Sequence, residues 1–289
     1  MEKIEIKITK RMFCILLFLT YLWTTCLAAR ILVLSPLGPR SHMNLFMPMV
    51  ETLVENGHQL TVVTAHPPPT KAANISKIVM DEMVELIEFE WYDFKEHSLY
   101  DNMMGLSMFM QTAMTTAYVR FMANKRIQEI KQNKNYDIVI VDAIVHDFCL
   151  PLVDHMGIPF IFFDPGPGTA WNLEAKDVSR NYASIPPLFG SFSSHMTFFE
   201  RIKNLILNEI FLQMRKSYLL PVLDKVAKKD FPEARPISEI ERNAELCFAN
   251  IHAASSWQRS LPPTFIPVGA MHVRPANPLP EVSNLFSMI

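Results

Sequence analysis

Ile31-Leu32-Val33-Leu34-Ser35 and Asp137-Ile138-Val139-Ile140-Val141-Asp142 are the two stretches on which the reading of the fold turns. Each is a short, almost uninterrupted aliphatic run with no polar face, the pattern of a strand buried on both sides in a parallel sheet. Between and beyond them, β-rich runs alternate with helical patterns. Pro48 to Asn56 carries apolar residues at helical spacing and stops at Gly57. Gln59–Thr64 reads as a second strand, ended by Pro67-Pro68-Pro69, and Val84–Phe89 as a weaker third. A long helical stretch follows over roughly 102–132, then helical Phe148–Met156 before Gly157, a strand at Pro159–Phe163 and helical material over about 198–228. Leu246–Asn250 and Phe265–Val268 are the last strand candidates. Strands alternating with helices predict an α/β fold, a Rossmann-like doubly wound parallel sheet with right-handed crossovers.

The composition narrows the function classes. The chain has 289 residues, 49% hydrophobic and 19% charged, with a formal net charge of −2. That much apolar material excludes global disorder, and the charge balance excludes the basic footprint of a nucleic-acid binder. Only 8 residues are Gly, and neither G-x-G-x-x-G nor G-x-x-x-x-G-K-[ST] occurs, so a glycine-rich phosphate cradle is excluded. Lys3, Lys7, Lys10 and Arg11, the apolar run Met12–Trp23 and the small residues of Cys26-Leu27-Ala28-Ala29 make residues 1–29 a secretory signal peptide. Its apolar run is shorter than the ~20 residues a membrane span requires. Removing it takes away four basic and two acidic residues, so the net charge moves from −2 to −4. Cys149 and Cys247 remain, in apolar contexts that suit buried free thiols. Asn74-Ile75-Ser76 is an N-glycosylation sequon, which fits a glycoprotein of the secretory pathway.

In open α/β sheets, ligands bind outside the carboxyl ends of the strands, where the strand order reverses. Pro36-Leu37-Gly38-Pro39-Arg40-Ser41-His42 follows the first strand and Asp142 follows the 137–141 strand. In the order 3-2-1-4-5 these two strands are neighbours across the switch, so His42 and Asp142 would face one crevice. A neutral imidazole there can take a proton from a substrate hydroxyl, and a carboxylate on its other nitrogen fixes the tautomer and stabilises the imidazolium. Ser41 is a candidate cap for the helix that follows. On spacing alone, an ordinary loop histidine and a helix-capping aspartate remain the alternative. The nine His include no H-E-x-x-H and the Cys form no ligand pairs, so no metal site is expected, and G-x-S-x-G is absent. His146-Asp147 and His155 read as surface residues, and Asp164-Pro165-Gly166-Pro167-Gly168 as a turn at another strand end. Met103 to Met122, with Met108, Phe109 and Met110, reads either as an adaptable hydrophobic pocket wall or as core.

Several short pieces occur together in a specific order: Ala29-Arg30-Ile31-Leu32, Ser41-His42, Asn56-Gly57-His58-Gln59-Leu60-Thr61-Val62-Val63-Thr64, Tyr136-Asp137-Ile138-Val139-Ile140-Val141-Asp142-Ala143 and Gly157-Ile158-Pro159. Ala249-Asn250, Pro267-Val268-Gly269 and His272-Val273-Arg274-Pro275 complete the set, followed by Pro278-Leu279-Pro280. On these the chain resembles the N-terminal half of an animal, insect-like UDP-glycosyltransferase. The resemblance implies a glycosyltransferase-B fold with two Rossmann-like lobes, of which residues 30–276 would be the N-terminal, acceptor-binding lobe and 277–289 the start of the interlobe linker. It implies that His42 deprotonates a small lipophilic acceptor, with Asp142 as its partner. The acceptor then attacks a UDP-sugar with inversion, without metal; the UDP-sugar is a co-substrate and no cofactor is implied. Glucuronosyltransferase-like detoxification in the endoplasmic reticulum lumen is the corresponding setting. The family's W-x-P-Q…H-x-G-G donor signature, membrane helix and basic tail do not occur before Ile289. The expectation is therefore a truncated chain, inactive alone and without the anchor. Its alternative is a non-catalytic module that binds lipophilic ligands or associates with full-length family members.

Overall fold

The computed structural model describes residues 28–70, 72, 74–87, 99–186, 192–252, 254, 256 and 259–273, with the backbone alone for 99–109. Seven strands occur among the described residues: β1 (Arg30–Ser35), β2 (Gln59–Thr64), β3 (Ile75–Val79), β4 (Ile138–Asp142), β5 (Phe160–Asp164), β6 (Leu246–Ala249) and β7 (Phe265–Pro267). They form one sheet in the order β3-β2-β1-β4-β5-β6-β7, every pair parallel. The order runs outward from β1 in both directions, so the topological switch lies between β1 and β4. Ile31 pairs with Ile138 there and Leu34 with Val141.

Successive side chains of a strand point to opposite faces, and here both faces are covered. Ile31, Val33 and Ile140 pack against Met43, Phe46, Met47 and Val50 of α1 (Arg40–Glu55). Leu32, Leu34, Val139 and Val141 pack on the other side. Their partners include Met114 and Phe121 of α3 (Leu99–Ala123), Leu150 of α5 (Leu150–Met156) and Leu223 of α8 (Leu220–Ala227). This two-sided burial is why β1 and β4 read as continuous apolar runs, and it is the doubly wound arrangement expected of the sequence. Cys149 and Cys247 are buried free thiols.

Helix boundaries follow local chemistry. Pro39, extended at ψ 168°, starts α1 at Arg40, ahead of Pro48, which lies inside the helix. Gly57, at φ 90°, reverses the chain into β2. The expected long helix over 102–132 is two helices, α3 and α4 (Lys125–Asn133), because Asn124 turns extended and its side-chain oxygen caps α4 by accepting the Arg126 N–H at 3.0 Å. Further along lie α6 (Ala170–Ala175), α7 (Phe198–Met214) and α9 (Ile237–Ile240), and a π-helical turn at Arg215–Leu219 joins α7 to α8. The third strand differs from the expected Val84–Phe89. The strand is Ile75–Val79, whereas Val84–Ile87 is the short helix α2 behind a 3-10 turn at Asp81–Met83; residues 88 and 89 lie outside those described. β3 is an edge strand whose Ser76, Lys77 and Val79 face solvent, so it lacks an apolar signature. Asp81, Glu82 and Glu85 favour helical N-termini instead. The proposed signal segment up to residue 27 and the 277–289 linker lie outside the described residues. Among the described residues, no helix is long and apolar enough to cross a membrane.

Candidate active site

Ser35 ends β1, and a short turn carries the chain to α1, whose first turn holds His42. Asp142 ends β4. The register that pairs Leu34 with Val141 brings Ser35 beside Asp142, and the Ser35 hydroxyl donates to Asp142 Oδ2 at 2.8 Å. The same oxygen meets His42 Nδ1 at 2.7 Å, and the Ile144 amide donates to Oδ1 at 3.0 Å. The crevice pair expected from the sequence is therefore formed, with the Asp142 side chain fully buried and that of His42 15% exposed. A carboxylate accepts, so Nδ1 of His42 carries the proton and Nε2 is the basic nitrogen left for an incoming group.

Gly38 makes this arrangement sterically feasible. A Cβ at that position would lie 2.1 Å from Ser35 Oγ and 3.2 Å from Asp142 Oδ2. The turn thus passes directly over the carboxylate, a close backbone approach that requires glycine.

The electrostatics suit proton abstraction. Burial opposes charge on Asp142, yet the His42 imidazole with its hydrogen bond and the Ile144 amide hold its carboxyl below the usual carboxylate range. Burial likewise opposes charge on His42, and the Asp142 carboxylate more than offsets it, raising the imidazole above its ordinary value; Asp164 adds to the rise. Asp142 therefore stays ionised and stabilises the imidazolium.

Three neighbouring readings take definite form. Ser41 does not cap α1: the helix starts at Arg40 behind Pro39 with no side-chain cap, so Ser41 lies inside the first turn. His146 and Asp147 are not surface residues; they are 1% and 7% exposed, because the chain after β4 folds down against the core as a 3-10 turn. Asp147 is paired with the buried Arg215, which also reaches Glu241 at 2.6 Å. His155 is half-buried, its ring 5.2 Å from that of Phe231. Asp164, at the end of β5, closes the expected turn by accepting from the Gly166 amide (2.8 Å), the Thr169 amide (3.0 Å) and Asn172 Nδ2 (2.9 Å). Burial pushes its carboxyl up, and the Asp142 charge adds to this.

The remaining sequence candidates lie elsewhere. Met110, 4% exposed, packs in the core beside Met114 and Phe121, and the side chains of Met108 and Phe109 lie outside those described. Whereas His42 lies beyond the carboxyl end of β1, Asn74 is exposed at the amino end of the edge strand β3. It borders a cleft of about 800 Å³ lined also by Arg30, His58, Arg126 and Tyr136. No group of three or more His, Cys, Asp or Glu able to hold a metal ion occurs among the described residues. Two members of the site, Ser35 and His146, were not legible as such. The i, i+4 spacing of Asp142 and His146 is the one local hint of the second.

A parallel, doubly wound sheet with a buried carboxylate–imidazole pair at its switch point is an arrangement with the chemistry to take a proton from a group bound there. The comparisons narrow this further. A family profile described as "UDP-glucoronosyl and UDP-glucosyl transferase" matches residues 26–287, and the chain belongs to that family. It is 29% identical to UDP-glucosyltransferase 2 of the insect Dactylopius coccus over 277 residues, covering 92% of this chain and 52% of the relative. Human UDP-glucuronosyltransferase 3A1 is 26% identical over 275 residues, 88% of this chain and 50% of the relative. The chain thus spans about half the length of the curated relatives it matches. Among solved structures, the calicheamicin glycosyltransferase CalG4 aligns over 84% of this chain and 53% of its own, at 15% identity and a TM-score of 0.47.

Proposed function

We propose that this chain is the acceptor-binding half of an inverting UDP-glycosyltransferase, in which His42 is the general base and Asp142 its partner. The observation that carries the reading is the 2.7 Å contact between His42 Nδ1 and the buried Asp142 at the β1–β4 switch. His42 Nε2 accepts the proton of a small lipophilic acceptor as its oxygen attacks the anomeric carbon, and UDP leaves with the bonding electrons. A positioned base contributes ~10²–10⁴-fold to such a step. The UDP-sugar is held by a second, donor-binding half, reached through the linker that begins near 277. Residues 1–29 direct the chain to the endoplasmic reticulum lumen, where Asn74, exposed in a sequon, accepts a glycan.

The test joins this chain, covalently or by coexpression, to the donor-binding half of a family relative. Sugar transfer to a phenolic acceptor should then appear, and His42→Ala should lower it at least ~10²-fold while acceptor binding persists. Unchanged turnover in His42→Ala would refute the assignment. The chain by itself should bind UDP-glucose weakly, and tight binding in a calorimeter would contradict the division into halves.

A further inference from the structure

His146 takes no direct part in the chemistry just described, yet both of its ring nitrogens are committed. Nε2 lies 3.0 Å from the Leu37 backbone nitrogen, and Nδ1 lies 2.6 Å from the Ile144 carbonyl oxygen. An amide N–H can only donate and a carbonyl can only accept, so the two contacts fix the tautomer: Nδ1 carries the proton and Nε2 does not. A second proton on the ring would have to displace the Leu37 amide, so the bonded ring is neutral, and burial lowers its basicity in the same sense.

The two partners are not arbitrary. Leu37 belongs to the turn that carries the chain from β1 to His42, and Ile144 is the residue whose amide binds Asp142. The chain bends sharply between Ile144 and His146, for Val145 sits at φ 62°, a left-handed conformation that β-branched residues avoid. That bend brings Nδ1 back onto the Ile144 carbonyl. His146 also lies 3.6 Å from Asp142 Oδ1, too far for a hydrogen bond but close enough that a charge on it would compete with His42 for the carboxylate. Asp142, His42 and Asp147 are the charged or titrating groups that act on the ring, Cys149 follows on the same turn, and Phe148 stacks against it at 5.8 Å.

We propose that His146 is a positioning residue for the His42–Asp142 pair: a permanently neutral imidazole that ties the β1 turn to the β4 turn and leaves the Asp142 charge to His42 alone. The proposal rests on the dyad reading above and adds a second histidine whose function requires that it does not titrate. It makes the spacing of two strand ends depend on one cross-turn hydrogen bond, Leu37 N–H to His146 Nε2.

The whole chain, labelled with ¹⁵N, tests this without any turnover assay. In the wild type, long-range ¹H–¹⁵N spectra should show His146 as the Nδ1–H tautomer, unchanged from acid to neutral pH, with a coupling across the hydrogen bond to the Leu37 nitrogen. His42 should titrate above its ordinary value. In His146→Leu the His42 midpoint should fall and the Leu37 amide should exchange about tenfold faster, the change one buried hydrogen bond is worth. His146→Gln, whose amide oxygen can accept from Leu37, should restore both. A merely structural histidine would lower the melting temperature without moving the His42 midpoint. An unmoved midpoint in His146→Leu, or the Nε2–H tautomer in the wild type, overturns the proposal; the second result holds even if the leucine variant does not fold. An ordinary His42 midpoint in the wild type would instead overturn the dyad itself, and the positioning role with it.

Discussion

Replacing Gly38 with alanine places a methyl group 2.1 Å from Ser35 Oγ, far inside the ~3.5–4.0 Å at which carbon makes favourable contact. The Ser35 side chain must rotate, and its 2.8 Å bond to Asp142 is lost. A hydrogen bond to a charged group contributes ~1.5–3 kcal/mol, and Ser35 is fully buried, so its displaced hydroxyl has no water to turn to and costs ~1–3 kcal/mol more. Gly38→Ala should therefore destabilise by about 3–5 kcal/mol, which for a domain of this size lowers the melting temperature by roughly 6–20 °C. Gly57→Ala is the control: at φ 90° with open space around it, it carries only the ~1–2 kcal/mol of a left-handed alanine. Ser35→Ala removes the obstructing hydroxyl, so adding Gly38→Ala to it should cost less than about 1 kcal/mol. Urea or thermal unfolding of the four proteins then gives a coupling of at least about 2 kcal/mol between the sites. A Gly38→Ala variant no less stable than Gly57→Ala, or a coupling near zero, would refute the steric reasoning and with it the packing of the turn on Asp142.

Asp142→Asn, measured with a donor-binding half supplied, should lower turnover by ~10²–10⁴-fold because an amide cannot both hold the Nδ1–H tautomer and stabilise an imidazolium. Since Asp142 raises His42 in the folded state, proton uptake favours folding. Against His42→Gln, the wild type should gain stability as pH falls through the raised folded value and keep that gain below about 6.5, as urea titrations between about pH 6 and pH 8.5 will read. Arg215→Met leaves Asp147 and Glu241 buried without their cation and should cost ~3–5 kcal/mol in the same unfolding assay. Burial pushes the Cys149 and Cys247 thiols up, so neither should react with iodoacetamide at neutral pH until the chain unfolds, which mass mapping of the alkylated peptides will show.

The sequence by itself determined the parallel sheet, because strands such as Ile31–Ser35 and Ile138–Asp142 are buried on both faces and must be aliphatic throughout. It also determined the ends of α1 and α5, since Gly57 and Gly157 at φ 90° and 65° act through their own backbone freedom. His42 and Asp142 were legible because the carboxyl-end rule turns strand order into proximity. The edge strand Ile75–Val79 was not legible, since its exposed Ser76 and Lys77 break the apolar run that marks a buried strand. Only the tertiary structure decided that Ser35 and His146 belong to the site. Their roles depend on distances of 2.8 and 3.0 Å between residues 107 and 109 positions apart, which no local pattern encodes. Those contacts exist because the parallel register of β1 on β4 sets the two strand ends level and a glycine lets one turn close over the other. Spacing along the chain says which chemical groups are present; the register of the sheet decides which of them touch.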